Sequence, residues 1–130
     1  MASVEITAEN FDSTVNGNDI VFLDFWAEWC GPCRMFAPVF EQASDKHTDV
    51  VFGKVDTEVQ HDLAAAFQIR SIPTLMVFRE KVLIYSQPGA MSGPQFEQLI
   101  QAVRDVDMKD VHAQVAAQAK EAEAQQGANA

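Results

Sequence analysis

The chain has 130 residues and a mass of 14.4 kDa, which suits one compact domain. Hydrophobic residues make up 48% of the sequence and charged residues 22%, a globular composition that excludes wholesale disorder. Nine basic residues against nineteen acidic ones give a net charge of −10, which argues against nucleic acid or an anionic membrane as the main partner.

The apolar periodicity predicts alternating strands and helices along most of the chain. Continuous apolar runs indicate strands buried on both faces, and apolar residues at helical spacing indicate amphipathic helices. The predicted elements, in chain order, are strand 3–7, helix 7–16, strand 19–27, helix 31–46, strand 50–56, helix 57–67, strands 74–79 and 82–87, and helix 92–104. This order predicts an α/β fold with a central mixed sheet of about five strands and helices on both faces.

The residues after the last predicted helix differ in composition from the rest of the chain. From residue 107 onward the sequence is rich in Ala and Gln, and Met108, Val111 and Val115 form a thin apolar stripe. We therefore divide the chain into a domain at 1–106 and a tail at 107–130. We expect the tail to be a solvated, fraying helix, and the alternative is a helix that docks on the domain or on a partner.

The two cysteines of the chain, Cys30 and Cys33, lie three residues apart where a strand meets a helix. A zinc or iron–sulfur site normally needs four ligands, and the three histidines fall in segments predicted away from this strand end. A structural disulfide would close a very short loop, which restricts the unfolded chain little. A redox-active dithiol that cycles through a Cys30–Cys33 disulfide, with no metal, is the favoured interpretation over those two alternatives.

The following helix gives the two cysteines different predicted roles. Cys30 stands at the helix N-terminus, where free N–H groups and the helix dipole stabilise a thiolate, so we expect an exposed nucleophile of low pKa. Cys33 lies one turn further in and is predicted to resolve the mixed disulfide that Cys30 forms with a substrate. Gly31 lets another chain approach closely, and Pro32 suits the first helical turn.

Asp24 interrupts an otherwise apolar strand just before the cysteines. Desolvation there should raise its pKa, which suits a proton acceptor for the resolving thiol; the alternative is a structural carboxylate that is hydrogen-bonded to backbone. Trp29 is expected to shield the sulfurs and to line the docking surface, whereas Trp26 is expected in the core. The two further carboxylates Glu28 and Asp56 are assigned no catalytic role.

The stretch DFWAEWCGPCR at residues 24–34 resembles the active-site signature of the thioredoxin family. The resemblance covers about residues 3–105, and the other matching positions are Pro38, Lys54-Val55-Asp56, Ile72-Pro73-Thr74 and Gly89-Ala90. It implies a thioredoxin-like fold and a thiol–disulfide oxidoreductase, specifically a protein-disulfide reductase that contributes to electron transport and cell redox homeostasis.

The resemblance also implies roles for residues outside the cysteine motif. Pro73 would follow a cis peptide bond and face the dithiol, leaving the loop backbone free to pair with an extended substrate segment. Lys54 would lie beside Asp24 and partly offset the shift of its pKa. The implied substrate groove consists of Ile72, Gly89 and Ala90.

The resemblance implies disulfide-bearing target proteins as partners, with electrons from NADPH delivered by a flavin-containing thioredoxin reductase in trans. No dinucleotide-binding glycine fingerprint occurs, so we expect no bound cofactor. No signal-peptide pattern or long apolar run is visible, so we expect a cytoplasmic protein without membrane contact. We also expect a monomer. Two rival functions stay open: a glutathione-dependent reductase, or a binding subunit or redox sensor that uses the same groove without turnover.

Overall fold

Five strands and five helices lie within residues 2–128, the part of the chain that the computed structural model describes. The strands are β1 (Val4–Glu5), β2 (Ile20–Trp26), β3 (Val51–Asp56), β4 (Thr74–Arg79) and β5 (Val82–Pro88). The helices are α1 (Phe11–Asn16), α2 (Gly31–Lys46), α3 (His61–Ala66), α4 (Gly93–Asp105) and α5 (Met108–Ala128). Their order along the chain is β1-α1-β2-α2-β3-α3-β4-β5-α4-α5.

The strands form one mixed sheet in the order β1-β3-β2-β4-β5. β1, β3 and β2 run parallel, whereas β4 is antiparallel to β2 and β5 is antiparallel to β4. The parallel neighbours β2 and β3 are joined by a crossover through α2, and the antiparallel neighbours β4 and β5 by a tight hairpin. The predicted α/β fold with a mixed five-stranded sheet is confirmed.

Successive residues of β2 point to opposite faces of the sheet, so one apolar run supplies two cores. On one face Phe22 and Phe52 pack against α2 and α4, and the ring of Phe96 meets that of Phe22 edge-on at 5.5 Å between centroids. On the other face Leu23 and Phe25 pack with residues of α1 and α3. Helices therefore cover both faces, as the element order predicts.

The first strand and the first helix are shorter than predicted, because a turn occupies the residues between them. The Thr7 N–H donates to Asn10 Oδ1 at 2.7 Å, and the Asn10 N–H donates to Thr7 Oγ1 at 3.3 Å. These reciprocal bonds have the pattern of a capping box, which satisfies N–H groups before the helix, and the Phe11 N–H bonds to the Thr7 carbonyl at 3.0 Å. Regular α-helix nevertheless begins only at Phe11.

A turn at residues 57–60 also replaces the first part of the helix predicted from residue 57. Thr57 donates twice to the Trp26 carbonyl, through its N–H at 2.9 Å and its Oγ1 at 3.0 Å. These bonds continue the contact between β3 and β2 instead of starting a helix, so α3 begins at His61. As a result Val59, which helical spacing would place inward, is 64% exposed.

Helix α5 packs against the domain only through its first turn. Met108 is buried, Val111 is half-buried, and His112 Nε2 lies 2.9 Å from Glu80 Oε1 in the β4–β5 turn. Every residue from 112 to 127 is exposed. Within residues 2–128 no helix is both long enough and apolar enough to span a bilayer. The division of the chain at residue 106 stays a prediction.

Candidate active site

Cys30 and Cys33 form a disulfide where β2 ends and α2 begins. Cys30 is the N-cap of α2, and its Sγ accepts a hydrogen bond from the Cys33 N–H at 3.2 Å. The first turn of a helix leaves N–H groups without intrahelical partners and carries a partial positive charge, so negative charge on this sulfur is favoured. Pro32 lies in that first turn, where the missing N–H removes no hydrogen bond.

The two cysteines are both buried in the disulfide form. Cys30 is 4% exposed and Cys33 is 2% exposed, and they pack with Ala27 and Ile72. The exposure predicted for Cys30 is therefore wrong for the oxidised protein, because these side chains cover the sulfurs. Beside them Gly31 faces open space, since a Cβ built there would meet nothing within 4 Å. A substrate can approach the disulfide from that side.

The loop before β4 faces the disulfide. The Ile72–Pro73 peptide bond is cis, and the Ile72 carbonyl oxygen lies 3.6 Å from Cys30 Sγ. The Pro73 carbonyl accepts a hydrogen bond from the Gly89 N–H at 2.8 Å. Gly89 has a φ of 114°, a conformation that L side chains rarely adopt, and the exposed Ala90 follows it. These bonds join the end of β5 to the loop that contacts the sulfur.

Asp24 is fully buried in β2, and neither of its carboxylate oxygens has a hydrogen-bond partner within residues 2–128. Burial raises the pKa of Asp24 from 3.8 to about 7, although the positive charge of Lys54 acts in the opposite direction. The alternative of a structural carboxylate bonded to backbone is therefore wrong. A carboxyl group with this pKa can exchange a proton near neutral pH.

Lys54 occupies the position beside Asp24 in the parallel β2–β3 ladder. Its Nζ lies 4.7 Å from the centroid of the Trp26 ring, within the range of a cation–π contact. Lys54 and Trp26 also line a solvent-open cleft of about 380 Å³ beside Asp56 and β1. Trp26 is half-buried rather than part of the core, because its ring lines this solvent-open cleft.

Trp29 is 66% exposed beside the disulfide, and its indole Nε1 donates to Glu58 Oε1 at 2.7 Å. The Glu58 N–H in turn donates to the Asp56 carboxylate at 2.9 Å. The sequence did not indicate Glu58 as a site residue, because a helix was predicted from residue 57 where the structure has the turn that contains Glu58. An acidic residue two positions after a strand end is too common a pattern to have revealed this contact.

One of the three histidines, His61, does not lie where the sequence predicts. His61 lines a cleft beside Trp29, near the carboxyl end of β2, so its predicted placement away from this strand end is wrong. His47 and His112 contact Glu97 and Glu80 instead, away from the disulfide. Within residues 2–128 no group of three or more His, Cys, Asp or Glu side chains is arranged to hold a metal ion.

The sequence model of the thioredoxin family matches residues 2–105. A protein of Streptomyces coelicolor provisionally named thioredoxin 2 is 52% identical over 121 residues, which cover 93% of this chain and 90% of the relative. A thioredoxin of Alicyclobacillus acidocaldarius is 38% identical over 105 residues, which cover 77% of this chain and all of the relative, 100%.

Solved structures show the same likeness. A point mutant of a thioredoxin from Halobacterium salinarum superposes with a TM-score of 0.74 at 29% identity, covering 82% of this chain and 95% of the other. The thioredoxin of Malassezia sympodialis superposes with a TM-score of 0.69 at 35% identity, covering 77% of this chain and 89% of the other. The resemblance inferred from the cysteine motif and the thioredoxin-like fold that it implied are both confirmed.

Proposed function

The chain belongs to the thioredoxin family and is a thiol–disulfide oxidoreductase with a redox-active cysteine pair, and from this premise we propose that it reduces disulfide bonds in other proteins. The observation that carries the proposal is the placement of Cys30 Sγ at the start of α2, beside an open approach at Gly31. The Gly-Pro dipeptide between the cysteines resembles that of reducing rather than oxidising members of the family.

The two cysteines act in sequence. The thiolate of Cys30 attacks one sulfur of the target disulfide, forming a mixed disulfide while the other target sulfur leaves as a thiolate. Cys33 then loses its proton and attacks Cys30 Sγ, which forms the Cys30–Cys33 disulfide and releases the second target thiolate. Two electrons pass from the dithiol to the target, and the target thiolates take up protons.

Asp24 accepts the proton that Cys33 loses in the second step. Its pKa of about 7 lets it be ionised before that step and protonated after it at neutral pH. Lys54 favours the ionised form of Asp24, and its side chain also lines the open cleft beside Trp26.

The target segment lies in an extended conformation against the loop at Ile72 and Pro73, whose backbone pairs with it as an added strand. Gly89 and Ala90 form the other side of this groove. Trp29 lies next to it and supplies an exposed aromatic surface on which the target docks.

Exchange of the cysteines tests these roles. Reduced Cys33→Ser protein, mixed with a disulfide-bearing protein such as insulin, should accumulate a covalent mixed disulfide, because the second step is blocked. Cys30→Ser is the matched control and should accumulate none. Equal accumulation in both variants would contradict the assignment of nucleophile and resolving thiol.

The oxidised protein is recharged by a flavin-containing thioredoxin reductase with electrons from NADPH, and it carries no cofactor of its own. In the cell it acts as a monomer in the cytoplasm and serves cell redox homeostasis. The test is insulin reduction by catalytic amounts of the protein, driven either by NADPH with thioredoxin reductase or by glutathione. Turnover with NADPH and thioredoxin reductase but not with glutathione supports the proposal. Turnover with glutathione but not with the reductase supports a glutathione-dependent enzyme. No turnover with either supports a binding module.

A further inference from the structure

The exposed ring of Trp29 separates two clefts that carry different charges. The α3-side cleft, of about 350 Å³, has apolar walls at Ile69 and Ile72 and two titratable residues, His61 and Arg70. The β3-side cleft, of about 420 Å³, is lined by Glu28, Trp29, Arg34, Asp56 and Glu58. One cleft therefore presents only basic titratable groups, and the other presents three carboxylates with one arginine.

The basic character of the α3-side cleft is unusual in a chain with a net charge of −10. Arg70 is exposed, and no carboxylate of residues 2–128 lies within 4 Å of its guanidinium or of the His61 ring nitrogens. Asp62, the acidic residue next to His61 in sequence, does not line the cleft. A carboxylate that enters this cleft therefore meets the exposed guanidinium of Arg70, which has no carboxylate partner within residues 2–128.

The α3-side cleft lies beside the loop that contacts the reacting sulfur. Ile72 forms part of its wall, and the carbonyl oxygen of the same residue lies 3.6 Å from Cys30 Sγ. Trp29, the residue before the nucleophile, forms the opposite wall. A target cysteine that reaches Cys30 must therefore place side chains of its own flanking residues beside Trp29, and an extended segment has one flank on each side.

We propose that the site distinguishes targets by the order of the charged residues on the two sides of the target cysteine. An acidic side chain that flanks this cysteine enters the α3-side cleft and binds Arg70 and His61. The proposal rests on the proposed function, since it concerns the segment that is being reduced. The Trp29–Glu58 hydrogen bond holds the indole toward the β3-side cleft, where carboxylates repel the same acidic group. Attraction in the α3-side cleft and repulsion in the β3-side cleft together favour targets whose acidic residue lies on the α3 side of Trp29.

The expected discrimination is modest, because the groups involved are exposed to solvent. One solvent-exposed ion pair changes an equilibrium by a factor of up to about five. Attraction in one cleft combined with repulsion in the other should therefore give a preference of about tenfold.

Two peptides of identical composition and net charge test the proposal. Each contains one cysteine disulfide-bonded to thionitrobenzoate, with Asp two residues before and Lys two residues after the cysteine, or the reverse. Reduced protein attacks the peptide sulfur and releases thionitrobenzoate, the better leaving group, so its absorbance reports the rate of the first step. Because the peptides have the same net charge, long-range repulsion by the acidic protein affects both equally.

We expect the second-order rate constants of the first step for the two peptides to differ by about tenfold, as two exposed charges predict. Arg70→Glu should abolish or invert the preference, and His61→Gln should reduce it. Arg34→Gln is the matched control, since it removes a cation from the β3-side cleft and should keep or enlarge the preference. Rates within twofold of each other in the unchanged protein, or an unchanged preference in Arg70→Glu, would overturn the proposal.

Insulin reduction by the same protein preparations distinguishes failure of the charge selection from failure of the proposed function. If insulin is reduced and the peptides react equally, only the charge selection fails. If neither insulin nor either peptide is reduced, the proposed function fails and the charge selection fails with it.

Discussion

At the carboxyl end of β2, Asp24 is buried with neither carboxylate oxygen hydrogen-bonded within residues 2–128. At the opposite end of the sheet, where Arg79 pairs with Ile20 in the β2–β4 ladder, the guanidinium Nη1 donates to three carbonyls. These belong to the C-terminus of α4, at Val103 (2.8 Å), Arg104 (3.1 Å) and Val106 (2.8 Å). The same sheet thus leaves both oxygens of the Asp24 carboxyl without partners, whereas Arg79 donates to three carbonyls through Nη1 and, of its buried nitrogens, leaves only Nε unpaired within residues 2–128.

Charged surface residues near the Arg79 end of the sheet also have partners. Arg104 donates to both oxygens of Asp49, at 2.7 and 2.9 Å, and this hydrogen bonding lowers the pKa of Asp49 to about 2. His47 lies 2.8 Å from Glu97. By contrast, Arg70 near the disulfide has no carboxylate partner within the described residues. Paired groups stabilise the fold, and unpaired groups remain available for chemistry and binding.

Removal of the nucleophile should have the largest effect at the reactive end. Cys30→Ser should lower the rate of insulin reduction by at least about a thousandfold, because a hydroxyl is not ionised at neutral pH. Circular dichroism and thermal unfolding under reducing conditions, against the reduced parent protein, check that the fold is retained. Residual activity within tenfold of the parent would show that another group carries the attack.

Asp24→Asn should stabilise the protein in a pH-dependent way. Because the folded pKa of about 7 lies above the unfolded value of 3.8, the native state holds a proton that the unfolded state releases between these pH values. The contribution of Asp24 to the stability of the parent is therefore greatest below about pH 4 and falls as the pH rises toward 7. The difference of about three units corresponds to about 4 kcal/mol.

The variant lacks this titration, so its free energy of unfolding should exceed that of the parent at pH 8 and match it near pH 4. Urea unfolding at both pH values measures the difference. The mixed disulfide should also resolve more slowly at pH 7. A variant that loses stability equally at both pH values, with unchanged activity, would contradict the proton-acceptor role of Asp24.

Arg79→Met should show the reverse behaviour at the paired end. Met keeps an unbranched apolar stem but has no guanidinium, so the carbonyls at the end of α4 lose their donor and the free energy of unfolding should fall by about 2–4 kcal/mol. Reduction of insulin at 25 °C should stay within twofold, since Arg79 lies at the opposite end of the sheet. A large loss of activity with intact folding would show that the two ends are coupled.

Shortening the C-terminus should have the smallest effect. A chain that ends at Asp107 loses the buried Met108 and should be destabilised by about 1–2 kcal/mol. A chain that ends at His112 keeps the docked turn and should unfold within about 0.5 kcal/mol of the full protein. Equal stability of both truncated chains would show that the first turn of α5 adds nothing.

Local patterns determined the elements that build the site. The apolar run of β2, the bounds of α2 and the spacing of the two cysteines could all be read from neighbouring residues, because strand and helix periodicity and N-terminal placement act over a few positions. The raised pKa of Asp24 was foreseeable for the same reason, since a lone carboxyl in an apolar strand is desolvated wherever the strand packs.

Tertiary structure alone decided which distant residues meet. Glu58 reaches Trp29 across 29 positions of sequence, Arg79 reaches the carbonyl of Val106 across 27, and His61 lines a cleft beside the disulfide. Each of these contacts depends on where a turn ends or how a helix lies on the sheet. Side-chain propensity carries no information about such meetings, because they result from the packing of whole elements against two shared cores.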